Sequence, residues 1–147
     1  MLITFRKMKP EDAVTVAEIE KANFSQPWTK EAFANAASDS NYVYLVALDN
    51  DIIVGYAGCT IACEEGDVTN IAVSEAYRKM GIGKELLKQL VIYAKKRGAL
   101  ELFLEVRSSN IPARALYGNM GFEAVGTRKN FYQKPTEDAV LMKLIIK

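Results

Sequence analysis

The chain has 147 residues, half of them apolar and a quarter charged, the profile of one soluble globular domain over residues 1–147. Nineteen basic residues nearly cancel eighteen acidic ones, so bulk charge gives no support for nucleic-acid binding. There is no histidine, which excludes Ser-His-Asp and Cys-His nucleophilic sites and His-x-x-x-His zinc sites; base catalysis falls to carboxylates, Lys, Tyr or Cys.

Leu2 to Met8 alternates apolar and polar residues, as a half-buried strand does. This N-terminus has no apolar signal core, and no window reaches the length of a membrane span, so the expected location is the cytoplasm. Pro10, Glu11 and Asp12 open a helix whose expected buried side is Val14, Ala17 and Ile19. After Phe24-Ser25-Gln26-Pro27-Trp28, Thr29 caps a second short helix reaching about Ala37. Asn41–Leu48 and Ile52–Ala62 form a hairpin across Asp49-Asn50-Asp51. Cys59 and Cys63 lie there. If both are in one strand they sit roughly 13 Å apart, too far for a disulfide. With no other Cys and no His, they read as reduced thiols with no metal between them. Glu64-Glu65-Gly66 turns into the strand Asp67–Val73.

Arg78-Lys79-Met80-Gly81-Ile82-Gly83-Lys84 follows, and an amphipathic helix begins inside it, with Ile82, Leu86, Leu90 and Ala94 on one face beside Leu87 and Val91. The first turn of a helix has unpaired N–H groups and the positive end of the dipole. Gly81 and Gly83 remove the Cβ atoms that keep a ligand away, and the basic residues add charge, an arrangement suited to a pyrophosphate. The segment is not a Rossmann fingerprint, which needs a third glycine, nor a P-loop, because Glu85 follows Lys84. On Gly-x-Gly alone, a plain helix start is the better reading.

Arg97-Gly98 ends that helix, and Leu100–Val106 is the next strand, expected to lie parallel to Asp67–Val73 in a βαβ unit. Glu105 sits near its carboxyl end, where open α/β sheets bind ligands; a buried strand would make it a better base. An ion pair with Arg107 or another basic residue is the equal alternative. Asn110 caps a helix from Ile111 to Met120 that Gly121 ends. Tyr117 on such a helix is more often core than catalyst. Phe122–Arg128 and Ala139–Ile145 are the last strands. The expected architecture is a mixed sheet of about seven strands with about four helices, an α/β fold.

Arg78-x-x-Gly81-x-Gly83 after an apolar strand resembles the acetyl-CoA signature of the GNAT superfamily of N-acetyltransferases, and the order of elements is similar along the whole chain. Leu104-Glu105-Val106-Arg107-x-x-Asn110, Ala115-Leu116-Tyr117-x-x-x-Gly121-Phe122, Asn70-Ile71-Ala72-Val73, Phe24-x-x-Pro27-Trp28 and Glu137-Asp138-Ala139 resemble the RimI-type, ribosomal-protein-alanine branch. The resemblance implies Glu105 as general base and Tyr117 as general acid. It implies acetyl-CoA held by Ile71, Ala72 and Val73, by Arg78, Lys79, Met80, Gly81, Ile82, Gly83 and Lys84, and by Asn110. It implies a peptide site bordered by Pro27, Trp28 and a loop with Phe131 and Tyr132. Relatives often carry two tyrosines where this chain has Phe131-Tyr132. The implied activity is acetyl transfer to a protein N-terminal α-amine, most simply an alanine of a ribosomal protein, with no metal, nucleic acid or membrane involved. The rivals are a small-amine or antibiotic acetyltransferase and a non-catalytic CoA-binding module.

Overall fold

Alternating apolar strands need cover on each buried face, and the helices supply it in two layers. The computed structural model describes residues 1–147 and contains β1 (Ile3–Lys7), α1 (Ala13–Asn23), α2 (Lys30–Ser38), β2 (Tyr42–Asp49), β3 (Ile52–Ala62) and β4 (Glu65–Val73), then α3 (Ile82–Lys96), β5 (Glu101–Arg107), α4 (Ile111–Asn119), β6 (Glu123–Tyr132) and β7 (Glu137–Ile145). The seven strands form one sheet in the order β1-β2-β3-β4-β5-β7-β6. Only β4 and β5 run parallel; every other pair is antiparallel. The mixed seven-stranded sheet with four helices is the expected architecture. No helix is long and apolar enough to cross a membrane.

One face of the sheet packs α3 and α4, with Leu86, Leu87, Leu90, Leu102, Leu104 and Tyr117 in a common core. The other face packs α1 and α2, with Val16, Phe33, Tyr44 and Tyr56. Phe33 is fully buried there, and truncating such a ring to Ala typically costs about 3–5 kcal/mol. In α3 the expected stripe Ile82, Leu86, Leu90, Ala94 is buried, and Gly98 ends the helix at φ +89°, a left-handed conformation that favours glycine. Thr29 caps α2 by accepting from the Ala32 N–H at 3.1 Å. Cys59 is buried in β3, and Cys63 lies exposed just beyond it; both are free.

Three expectations need correction. Residues Pro10–Asp12 form a 3-10 turn, so α1 starts at Ala13 and its buried stripe is Ala13, Val16, Ile19 and Glu20, not Val14. Val14 is 53% exposed because it falls off the three-and-four spacing of that stripe. The turn before β4 is centred on Cys63-Glu64, and the strand already begins at Glu65. Finally, β6 runs on through Phe131 and Tyr132, which therefore sit at a strand end and not within a loop.

Candidate active site

The parallel pair β4 and β5 touches only at Glu65, Gly66 and Asp67 against Glu101, Leu102 and Phe103. Beyond that the strands part, opening a gap at their carboxyl ends. The Ser74 N–H donates to the Val54 carbonyl at 2.8 Å. In an antiparallel pair, residues alternate between bonding their neighbour and pointing away. Since Val73 opposes Gly55 and Ile71 opposes Ala57, Val73 and Ile71 aim their backbone groups into the gap. The Ala72 side chain is buried in the α1/α2 core instead.

At the mouth of the gap lies the glycine loop. The N–H groups of Lys79, Met80, Gly81, Ile82, Gly83 and Lys84 donate to no carbonyl or side chain, a run of unpaired donors ending in the first turn of α3. Gly81 adopts φ +79°, so its conformation needs a glycine. Gly83 does not. A Cβ there would lie 3.7 Å from Val73 and 3.9 Å from Leu116, ordinary contact distances. The fold does not demand a glycine at 83, and a close-approaching ligand would. Lys79, Met80 and Lys84 are exposed around the loop, while the Ile82 side chain is core, leaving only its backbone for a ligand. The Arg78 guanidinium reaches the other way, donating to Asn23 on α1 at 2.5 Å and to the Val73 carbonyl at 3.4 Å. It straps the loop to α1.

Strand alternation sorts β5. Leu102, Leu104 and Val106 enter the α3 core, so Glu105 points to the opposite face. The apolar neighbours had suggested a buried carboxylate; its side chain is in fact 31% exposed and pairs with Arg128 Nε at 3.4 Å. Arg107 pairs with Glu137 instead. Tyr117 on α4 is buried on the other face, packed on Phe122 with ring centroids 5.9 Å apart. Burial pushes its phenol up to about 12, and the Tyr132 phenol adds to the push. Tyr132 is itself pushed up to about 12, first by burial and then by the charge of Glu105. Tyr132 is thus within electrostatic reach of both Glu105 and Tyr117. The gap lies between the two faces that carry them.

The four residues that the resemblance assigns to a peptide site lie on the α1–α2 connection and at the end of β6, before β7. Trp28 is half-buried, its ring 5.3 Å from Phe33 and 6.1 Å from Tyr44, so it anchors the loop to the core while Pro27 stays exposed. Phe131 is 45% exposed beside Tyr132. Glu137 latches this end: it accepts from the Ser109 N–H at 2.7 Å, the Ser108 hydroxyl at 3.1 Å and Arg107 at 3.2 Å. The hydrogen bonds from Ser109 lead in holding its carboxyl down at about 2. Asn110 caps α4 by accepting from Ala113 at 3.2 Å, the simpler of its two expected roles. Nothing in the fold explains Gly118, whose Cβ would meet open space.

Sequence reasoning missed Glu20, Tyr44 and Tyr56. Glu20 is 2% exposed. It accepts from the Tyr56 hydroxyl at 2.5 Å, the Asn70 amide at 3.0 and 3.2 Å and the Trp28 N–H at 2.9 Å. The only available signal was its place on the Ala13–Val16–Ile19 face of α1.

Fold and geometry together define an α/β protein with a gap at the carboxyl ends of two parting parallel strands, the kind of place where open α/β sheets bind ligands. The model of the acetyltransferase (GNAT) family matches residues 13–122. A ribosomal protein bS18-alanine N-acetyltransferase of Haemophilus influenzae is 39% identical over 128 residues, covering 85% of this chain and 86% of that one. The one from Escherichia coli K12 is 33% identical over 147 residues, covering 97% of each. The crystal structure of the Escherichia coli ribosomal-protein-S18-alanine N-acetyltransferase matches with a TM-score of 0.91 at 32% identity, covering 99% of this chain and 95% of that one. This chain belongs to the GNAT acetyltransferase family.

Proposed function

We propose that this chain, working as one domain, transfers acetyl from acetyl-CoA to the α-amine of a protein N-terminus, an alanine of a ribosomal protein. The observation that carries the reading is the β4–β5 gap, entered past a run of free N–H groups and flanked on opposite faces by Glu105 and Tyr117. The bS18-alanine acetyltransferase relatives supply the acceptor.

Each residue has a task in this reading. The Lys79–Lys84 N–H groups and the α3 dipole hold the pyrophosphate of the donor. Gly83 lets it approach. The Ile71 and Val73 backbone groups align the pantetheine arm and polarise the thioester carbonyl. Glu105 accepts a proton from the attacking amine through water. The C–N bond forms as the C–S bond breaks, and the Tyr117 hydroxyl hydrogen-bonds the departing sulfur. A phenol near 12 is a poor proton donor to a thiolate whose acid lies near ~8.5. Tyr117 therefore stabilises the thiolate as a hydrogen-bond donor and keeps its proton. Pro27, Trp28, Phe131 and Tyr132 border the peptide, and Asn110 keeps the start of α4 in place beside the donor.

An α-amine suits this machinery. Only the neutral amine attacks, and with reference values of ~7.8 and ~10.4, roughly one α-amine in seven is neutral at pH 7 against about one lysine in 2,500. That difference is about 3.5 kcal/mol of deprotonation supplied by the substrate itself. A half-exposed carboxylate is then base enough. Two peptides of one sequence starting with Ala test it, one with a blocked N-terminus and a free lysine, the other the reverse. Mass spectrometry locates the acetyl group. Acetylation is expected on the free α-amine, and faster acetylation of the N-blocked peptide sinks the assignment.

A further inference from the structure

We infer that Glu20 is a positioning residue that holds the acceptor-side loop Phe24–Trp28 against the thioester-side strand β4; the inference rests on the reaction proposed above. Both ends of the loop are fixed by this one residue. Its main-chain carbonyl takes the Phe24 N–H at 2.9 Å, and its carboxylate takes the Trp28 N–H at 2.9 Å. No other backbone N–H between Phe24 and Trp28 has a partner. The same carboxylate grips the Asn70 amide, and Asn70 immediately precedes the gap-facing Ile71.

The grip continues into the backbone irregularity of β4. The pairing of β3 with β4 shifts between Gly58 and Cys59, leaving Thr69 as an extra residue. The Tyr44 hydroxyl donates to Asn70 Oδ1 at 2.6 Å and lies 2.7 Å from the Thr69 hydroxyl, which donates to the Gly58 carbonyl at 3.3 Å. A Cβ on Gly58 would run into the Tyr44 ring, so the glycine makes room for this connection. The bulge matters because one extra residue re-aims everything after it. It resets which groups of Ile71 and Val73 face the gap.

A merely structural role predicts different chemistry at position 20. Every donor to Glu20 is neutral: a phenol, two amide groups and no Lys or Arg. Burying a carboxylate without a cation is expensive, and an apolar side chain of similar volume would pack the α1 stripe as well. What an apolar residue cannot do is accept from Trp28 and Asn70 at once. The carboxylate links the two halves of the site at a fixed spacing, and small displacements of reacting groups are costly in rate.

The test compares Glu20→Ala, Glu20→Gln and wild type, with peptide KM and kcat, acetyl-CoA affinity by calorimetry, and Tm. Glu20→Ala is expected to raise peptide KM about tenfold or more while acetyl-CoA affinity stays within about twofold, because Tyr44 still holds Asn70. Glu20→Gln keeps an oxygen for the Trp28 N–H and leaves the Tyr56 hydroxyl without an acceptor. It is expected to lower Tm yet return peptide KM to within about threefold of wild type. That split between stability and KM is what a structural role does not produce. Wild-type peptide KM in a folded Glu20→Ala, or an equal loss toward both substrates that Gln does not rescue, overturns the inference. Should Ala not fold, hydrogen exchange in the wild type decides: the Trp28 amide is expected to exchange far more slowly than that of Gln26, and equal rates overturn it. A wild type unable to acetylate any peptide sinks the proposed reaction instead, and the Trp28 amide, read without substrate, keeps the two failures apart.

Discussion

Glu105 and Tyr117 meet the gap from opposite faces of the sheet, and their environments set different expectations for their loss. Glu105 is half-exposed with one partner, Arg128, in a solvent-screened pair. Exposed pairs contribute roughly 0–1 kcal/mol, so Glu105→Gln is expected to unfold at nearly the wild-type urea concentration. In single-turnover assays its acetyl-transfer rate is expected to fall about 10²–10⁴-fold, the usual range for a general base. Tyr117 is buried with its phenol pushed up to about 12. It remains protonated from pH 6 to 10, so the rate loss in Tyr117→Phe is expected to be the same across that range. A loss that vanishes above pH 9 would mean that the phenol ionises within the assay window and is not held up by burial.

At the scale of elements, the start of α3 and the β6–β7 latch carry the clearest expectations. The space at Gly83 accepts a Cβ without crowding, so Gly83→Ala and Gly83→Glu are both expected to fold. Only the glutamate puts a negative charge among the free N–H groups and against the helix dipole. Calorimetry is expected to show weakened acetyl-CoA binding to Gly83→Ala, whose Cβ stands where the donor approaches, and none to Gly83→Glu; unchanged affinity in a folded Gly83→Glu removes the pyrophosphate from this loop. The latch is pH-sensitive in a defined direction. The Glu137 carboxyl is held at about 2, below its ordinary 4.5. A depressed carboxyl contributes stability that is fully present above its unfolded value and is lost as pH falls through the folded one. The β6–β7 end is therefore expected to stay latched at pH 5 and to release between about pH 4.5 and 2. The carboxyl carbon shift of Glu137 in an NMR titration reads this directly, and a midpoint near 4.5 would show that the latch is absent in solution.

For the whole molecule, the gap is a seam. The β1–β4 half and the β5–β7–β6 half of the sheet share only the short β4–β5 ladder, with α3 spanning the join on one face. A ligand that fills the seam binds the folded state alone. At a hundred times its Kd it adds about 2.7 kcal/mol, which for a chain of this size is several degrees of Tm. Acetyl-CoA is expected to raise Tm by that amount and to slow exchange of the Ile71 and Val73 amides, which in the free protein point into the gap. Protection confined to α3, with both strand amides still exchanging freely, would place the donor outside the seam.

Much of this was legible in the chain itself because it is set locally. The i, i+4 stripe of α3, the glycine after Arg97, the cap at Thr29 and the alternation of β5 each depend on neighbours a few residues away. The loop from Arg78 to Lys84 was readable for the same reason, and with it the family. Tertiary structure decided the rest. Whether Glu105 lies in the core or on the open face depends on which side of β5 receives α3, and that choice gave it Arg128 across β7 and not the adjacent Arg107. The Arg78 side chain turned from the loop toward Asn23, a partner 55 residues away. Glu20 shares the buried face of α1 with Ala13, Val16 and Ile19, which does not by itself give it partners. Its burial follows from contacts with Tyr56 and Asn70, 36 and 50 residues distant, and no local pattern encodes donors that far along the chain. The sequence by itself determined the elements, the glycine-bearing helix start and the residue types at the gap. Only the packed sheet decided that β4 and β5 part after three residues and that one buried carboxylate joins the two sides of the opening.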